Sequence, residues 1–162
     1  MPARDQEYKQ ALSSLASLAR FGVKLGLERM ERLLDRLGNP ERDLTVVHLA
    51  GTNGKGSTAA FIEAGLRGAG VRTGLYTSPH LCRFTERIQV AGDEIPRDAL
   101  CRLLARVMAA AGDEEATFFE VVTALALLHF AEQEVELAVL ETGLGGRLDA
   151  TNVVTPALAV IT

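Results

Sequence analysis

An α/β protein, a mostly parallel sheet with flanking helices, is what this sequence predicts. Two observations carry the prediction. Short apolar, β-branched runs alternate along the chain with longer segments of helical period, the pattern of strands joined by crossover helices. The first strand-like run also enters a cluster of glycines and leaves as a helix, in "VVHLAGTNGKGSTAAF", Val46 to Phe61.

The elements follow in order. The first forty residues read as helix: Tyr8, Leu12, Leu15 and Leu18 recur near 3.6-residue spacing, as do Leu27, Met30, Leu33, Leu34 and Leu37, and Gly38-Asn39-Pro40 ends the second run. "LTVVHLA" is a strand, "STAAFIEAGLRGAG" a helix, and "VRTGLYTS" a second strand stopped by Pro79. "RIQVAGDEI" alternates around a Gly-Asp turn, which predicts a small hairpin excursion. Helices follow from Pro96 to about Ala111 and from Phe118 to about Gln133. "VELAVLET" and "PALAVIT" are the third and fourth strands of a sheet covered on both faces. A buried parallel strand as the last element leaves its own cover missing, so the chain reads as the front part of a longer protein. Residues 1–43 form a helical lead-in and 44–162 the α/β core.

Composition narrows the function. At 162 residues, 48% hydrophobic and 23% charged, the chain suffices for a soluble domain with a real core. A net charge of −4 argues against nucleic-acid binding, which wants a basic face. The charged start "MPARDQEYKQ" lacks the apolar segment of a secretory signal, and "VVTALALLHFA" is about half the roughly 20 residues of a bilayer span. Neither membrane nor nucleic acid is expected as a partner, and the location is read as cytoplasmic. Cys82 and Cys101 form no C-x-x-C pair and read as small buried hydrophobes.

The glycine turn carries chemistry. A strand, a glycine loop and a helix aim the helix's first N–H groups and its positive dipole end at one point. Glycines let backbone curl around a phosphate, and Lys55 adds a mobile cation. The common G-x-x-x-x-G-K-[ST] spacing is not met: Leu49 stands at the first glycine's place and Gly56 where Ser or Thr should follow the lysine, with Ser57 one place later. G-x-G-x-x-G fails too. At the carboxyl end of the third predicted strand stands Glu141, where open α/β sheets place ligands. Mg²⁺ takes hard oxygen ligands and keeps waters, so one or two protein oxygens beside nucleotide phosphates suffice. Ser78, before Pro79, offers a hydroxyl at another strand end, although on the residues alone a simple turn serine is the better account. Thr117 and Glu120 have capping-box spacing. Arg83 and Arg87 could hold acidic substrate groups or form a solvated face. His48 and His129 read as structural, and His80 as a residue that orients its loop.

"HLAGTNGKGSTAAF", "GLYTSPHL", "ERI", "TFFEVVTALAL" and "LETGLGGRLDATN", in this order, resemble the folylpolyglutamate synthase and dihydrofolate synthase branch of the Mur ligase superfamily. The resemblance runs from about Gly22 to the last residue. It implies a P-loop NTPase-like fold, that of the Mur ligase central domain, of which the chain holds the N-terminal portion, with a further C-terminal domain. It implies ATP held by Thr52, Asn53, Gly54, Lys55, Gly56 and Ser57, and Mg²⁺ held by Ser78 and Glu141, with Lys55 and Glu141 as the catalytic pair. Thr117, Phe118, Phe119 and Glu120, with Leu148, Asp149 and Ala150, would line the pocket for a pteroate ring. The activity implied is ATP-dependent addition of L-glutamate to dihydropteroate or reduced folates through an acyl phosphate, by a monomer when full length. A peptidoglycan-precursor ligase and a nucleotide-binding fragment without its own reaction are the alternatives. A third metal-ligating histidine and a modified lysine of that family would lie past Thr162, so residues 1–162 alone are expected to be inactive.

Overall fold

The computed structural model describes residues 2–22 and 24–162. In chain order the elements are α1 (Pro2–Ser17), α2 (Glu28–Leu37), β1 (Thr45–Ala50), α3 (Lys55–Gly68), β2 (Thr73–Tyr76), β3 (Ile88–Val90), β4 (Asp93–Glu94), α4 (Arg97–Ala111), α5 (Phe118–Glu132), β5 (Leu137–Glu141) and β6 (Leu158–Ile161), with short 3-10 turns at Leu18–Phe21, Phe84–Arg87 and Ala150–Val153. One six-stranded sheet has the order β4-β3-β2-β5-β1-β6. The β2, β5, β1 and β6 segments run parallel. The hairpin expected as an excursion instead joins the sheet: β3 lies antiparallel to β2 and carries β4 at the edge.

Strand alternation splits the core in two. Val46, Tyr76, Ala138 and Leu140 face a layer of α1, α2, α4 and α5, while Val47, Leu49, Leu75 and Val139 face α3 alone. The sequence of α5 is apolar all round, as a fully enclosed helix must be: every residue from Glu120 to Phe130 is buried. Each such Leu, Val or Phe contributes roughly 1.5–3 kcal/mol of transfer free energy. Its start is fixed by the capping box foreseen in the sequence, Thr117 Oγ1 accepting from Glu120 N at 3.2 Å and Glu120 Oε2 accepting from Thr117 N at 2.7 Å.

Two expectations need correcting. β6 is no buried strand but an exposed edge, with Leu158 at 55% and Ile161 at 87% exposure, and only Val160 packs against the α3-side cluster. Cys82 is exposed rather than buried, since it sits in the open turn after Pro79, while Cys101 is half-buried on α4. Among the described residues no helix is long and apolar enough to cross a membrane.

The sheet order decides where chemistry can occur. Leu49 of β1 pairs with Glu141 of β5, and Leu140 of β5 with Tyr76 of β2. The carboxyl ends of three neighbouring strands therefore open side by side, and each leads into one of the segments singled out above.

Candidate functional site

β1 hands the chain to Gly51 (φ 146°) and then to Gly54 (φ 77°), which caps α3 in the left-handed region that side chains disfavour. A Cβ on Gly51 would stand 2.5 Å from the Thr162 carbonyl oxygen, so only glycine admits the neighbouring backbone. The first helical bond of α3 runs from Thr58 N to Gly54 O at 2.9 Å. The N–H groups of Lys55, Gly56 and Ser57 precede it and have no intrahelical acceptor, which leaves a positive, donor-rich helix end. Thr52, Asn53 and Gly54 are exposed around that end, as is Ser57.

The lysine turns back over the loop. Lys55 Nζ donates to Gly51 O at 3.1 Å and stands 4.0 Å from Glu141 Oε1. Glu141 is only 4% exposed, and its Oε2 accepts from the backbone N–H of Ser78 at 2.9 Å. Burial pushes the Glu141 carboxyl above its ordinary pKa, against the opposing pull of the Ser78 N–H, Lys55 and Arg87. A carboxylate held under-compensated in this way gains from a further cation. A Cβ on Gly56 would stand 3.4 Å from Glu141 Oε2 and 3.7 Å from Oε1. Glycine after the lysine thus keeps open the space in front of the carboxylate. A buried carboxylate with the Ser78 hydroxyl nearby is a hard-oxygen donor set that suits Mg²⁺, and phosphate and water oxygens would complete it.

Behind the strand ends, on the α5 face of the sheet, lies a cavity of about 320 Å³. Thr117, Phe119 and Glu120 from the start of α5 form one wall, and Leu148, Asp149 and Ala150 another. Ser78, Pro79 and Arg87 close the end nearest Glu141. Phe118 is not among the lining residues; its ring stands edge-on to Phe84. A wider concavity of about 790 Å³ runs between α2 and Val153–Thr155 and holds none of the candidate site residues.

The Gly143–Gly146 bend is pinned by Asp149. Asp149 Oδ2 accepts from Gly143 N (2.9 Å) and Leu144 N (2.8 Å), and its Oδ1 from Thr151 N (3.0 Å) and Thr151 Oγ1 (2.6 Å). Because the Thr151 hydroxyl donates to Asp149, it must accept from His48 Nε2 at 2.7 Å, which places the imidazole proton on Nε2. Burial lowers the pKa of His48, consistent with a neutral ring. His80 Nδ1 accepts from Arg87 Nε at 2.8 Å, and His129 is buried in α5. Arg83 and Arg87 part company: Arg83 is exposed and binds Glu94, while Arg87 is buried.

No family model matches the sequence. Individual relatives do. The dihydrofolate synthase/folylpolyglutamate synthase of Bacillus subtilis is 46% identical over 162 residues, covering 96% of this chain and 38% of its own length. The enzyme of the same name from Escherichia coli is 44% identical over 151 residues, covering 93% of this chain and 36% of its own. The chain is homologous to the folylpolyglutamate and dihydrofolate synthases. Solved structures agree: E. coli FolC in complex with DHPP and ADP superposes with a TM-score of 0.89 at 42% identity, over 94% of this chain and 37% of that one. A bifunctional folylpolyglutamate synthase/dihydrofolate synthase with Mn, AMPPNP and L-glutamate bound gives 0.87 at 40% identity, over 93% and 37%. The chain thus spans less than two fifths of the length of these synthases.

Parts of the site were not foreseen from the sequence. The segment between α1 and α2 contributes Gly22, Lys24, Leu25 and Gly26 to the cavity, although nothing in its composition marks it. Arg29 pairs with the buried Glu120 at 3.0 Å across 91 residues, a contact without a local signature. Thr142 is buried beside Glu141 with no partner for its hydroxyl among the described residues.

Proposed function

We propose that these 162 residues form the phosphate-binding and acceptor-binding walls of an ATP-dependent ligase that joins L-glutamate to dihydropteroate or a reduced folate. The observation that carries this reading is the position of Glu141. It stands between the Lys55 ammonium and the N–H of Ser78, and Ser78 itself lines a partly apolar cavity. Nucleotide chemistry and a flat acceptor would meet at that point.

The N–H groups at the start of α3, with Thr52, Asn53 and Gly54 around them, would hold the ATP phosphates, and Lys55 would leave Gly51 O to reach their outer oxygens. Ser78 and Glu141 would hold Mg²⁺, whose role when bound is to neutralise charge on the phosphates. Phe119 and Leu148 would flank the acceptor ring, with the Thr117–Glu120 turn and the Asp149 loop setting the cavity's shape. The acceptor carboxylate takes the γ-phosphoryl group and becomes an acyl phosphate. The glutamate amine then attacks the acyl carbon, and phosphate leaves. Such a reaction asks the protein for positioning and charge neutralisation rather than covalent chemistry. The named relatives are folate ligases, which favours this reading over a peptidoglycan ligase or an inert nucleotide-binding module.

The test is glutamate-dependent phosphate release by the intact protein, with dihydropteroate or a reduced folate as acceptor. Lys55→Ala is expected to abolish turnover while the domain stays folded, since Lys55 has one hydrogen bond and one long ion pair to lose. Near-normal turnover by that variant would remove the proposal.

A further inference from the structure

Charges at the acceptor cavity are answered within the protein, with one exception. Lys24 pairs with Glu115 at 2.5 Å, Glu120 with Arg29 at 3.0 Å, and Asp149 accepts four hydrogen bonds from its own loop. Arg87 is 8% exposed, yet among the described residues no carboxylate stands within ion-pair distance of it. Several more exposed arginines do have such partners: Arg36 has Glu114, Arg83 has Glu94, and Arg102 has Glu132. A buried charge with no carboxylate in contact, and only the more distant field of Glu141 to balance it, is costly, and such a position suits a ligand that brings an anion.

The guanidinium is also held in a set orientation. Its Nε donates to His80 Nδ1 at 2.8 Å, and its carbon lies 5.6 Å from the centre of the Phe84 ring and 5.4 Å from that of Phe118. Both rings are within cation–π range. The Nε bond leaves the terminal amino groups to act as a planar fork of donors, a shape that matches a carboxylate. Burial depresses the Arg87 pKa from its ordinary value, while its charge helps to offset the rise at Glu141.

We propose that Arg87 binds the carboxylate of the acceptor and holds it at the Ser78–Glu141 end of the cavity, so that the enzyme selects acceptors carrying a free acid at that position. This rests on the ligase reading above and extends it to a specificity-determining residue. The acceptor is favoured over nucleotide phosphate or free glutamate because Arg87 shares one cavity with Phe119 and Leu148. Phe118 acquires a role here without touching the ring: it supports the guanidinium.

The experiment compares dihydropteroate with its carboxamide, the same ring system without the acid, in the intact protein. Affinity is measured by displacement, alongside ADP affinity and steady-state constants for each substrate. Wild type should favour the acid, and Arg87→Gln should lose that preference to within about three-fold, with kcat/KM for the acid falling roughly a hundred-fold or more and ADP affinity retained. Arg87→Lys keeps the charge and loses the fork, so it should recover part of the preference. A preference for the acid undiminished in Arg87→Gln overturns the proposal. So does a change confined to ATP or glutamate, or equal loss of acceptor and ADP in both variants with a lowered melting temperature. If wild type releases no glutamate-dependent phosphate with any folate-type acceptor, the ligase reading fails first and takes this one with it; activity in wild type with undiminished acid preference in Arg87→Gln sinks this one alone.

Discussion

Gly143→Ala tests whether the cavity on the α5 face receives the acceptor. A Cβ on Gly143 would stand 2.5 Å from Phe119 Cζ, 2.7 Å from Cε2 and 2.9 Å from Cε1, so the new methyl meets the ring edge. Restoring the 3.4 Å of ordinary contact moves the ring by about 0.9 Å, and a misplacement of about 1 Å can cost a hundred-fold in rate. Phe119 is half-buried and packs against the Tyr76 ring at 5.9 Å, so its half-exposed side is where it can yield without unfolding α5. Alanine also restricts the unfolded chain, which returns about 0.4–1 kcal/mol and offsets part of the strain. We therefore expect kcat/KM for the acceptor to fall about ten- to a hundred-fold, with ADP affinity within about two-fold of wild type and stability within about 1 kcal/mol. Glutamate-dependent phosphate release at varied acceptor and varied ATP separates the two effects, and calorimetry gives the ADP affinity. An unchanged KM and kcat for the acceptor would refute the placement of the ring against Phe119. A fall in ATP affinity alone would refute the division between the two faces.

Other perturbations probe the metal end and the helix start. Glu141→Ala should cost far more activity than Ser78→Ala, because it removes a full charge while the Ser78 backbone donor survives the loss of the hydroxyl; comparable losses in parallel Mg²⁺ titrations would contradict this. Because the Glu141 pKa is raised in the folded state, its share of stability is present in full below the unfolded value and is lost as pH rises through the folded value. Mg²⁺-dependent nucleotide affinity should rise over that same window, and Glu141→Gln should flatten both profiles in denaturant melts and binding titrations. Thr117→Ala should destabilise the domain by about 1 kcal/mol through loss of the α5 cap, visible as a lower denaturation midpoint.

What could be read in advance follows from how far each cause reaches along the chain. Strand and helix positions from Leu44 onward were legible because hydrophobic period is a local property. The Thr117–Glu120 cap and the Gly51–Gly54 turn were legible because each lies within a few residues. The edge position of the β3–β4 hairpin was not, since pairing with β2 is settled by the whole sheet. Nor was the burial of Arg87: from sequence it is one of two arginines in a charged stretch, and only packing beneath Phe84 and Phe118 separates it from Arg83. Arg29–Glu120 shows the same limit at greater range. Asp149 could be read as a pocket residue through the resemblance, but not its grip on two backbone N–H groups at the opposite end of the bend.

Glu141 and Gly143 are two residues apart, yet one faces the Lys55–Gly56 turn and the other touches Phe119. At this point the sheet works as a partition. Under the proposed function the triphosphate and the ring would occupy separate rooms, and the single doorway between them would be the gap beyond the last residue of β5. A carboxylate reaching that threshold from the ring side would meet the phosphoryl group from one direction only. Each room could then be refurnished on its own: altered walls at 22–26 and 143–149 would admit a different acid while the phosphate side kept its fittings.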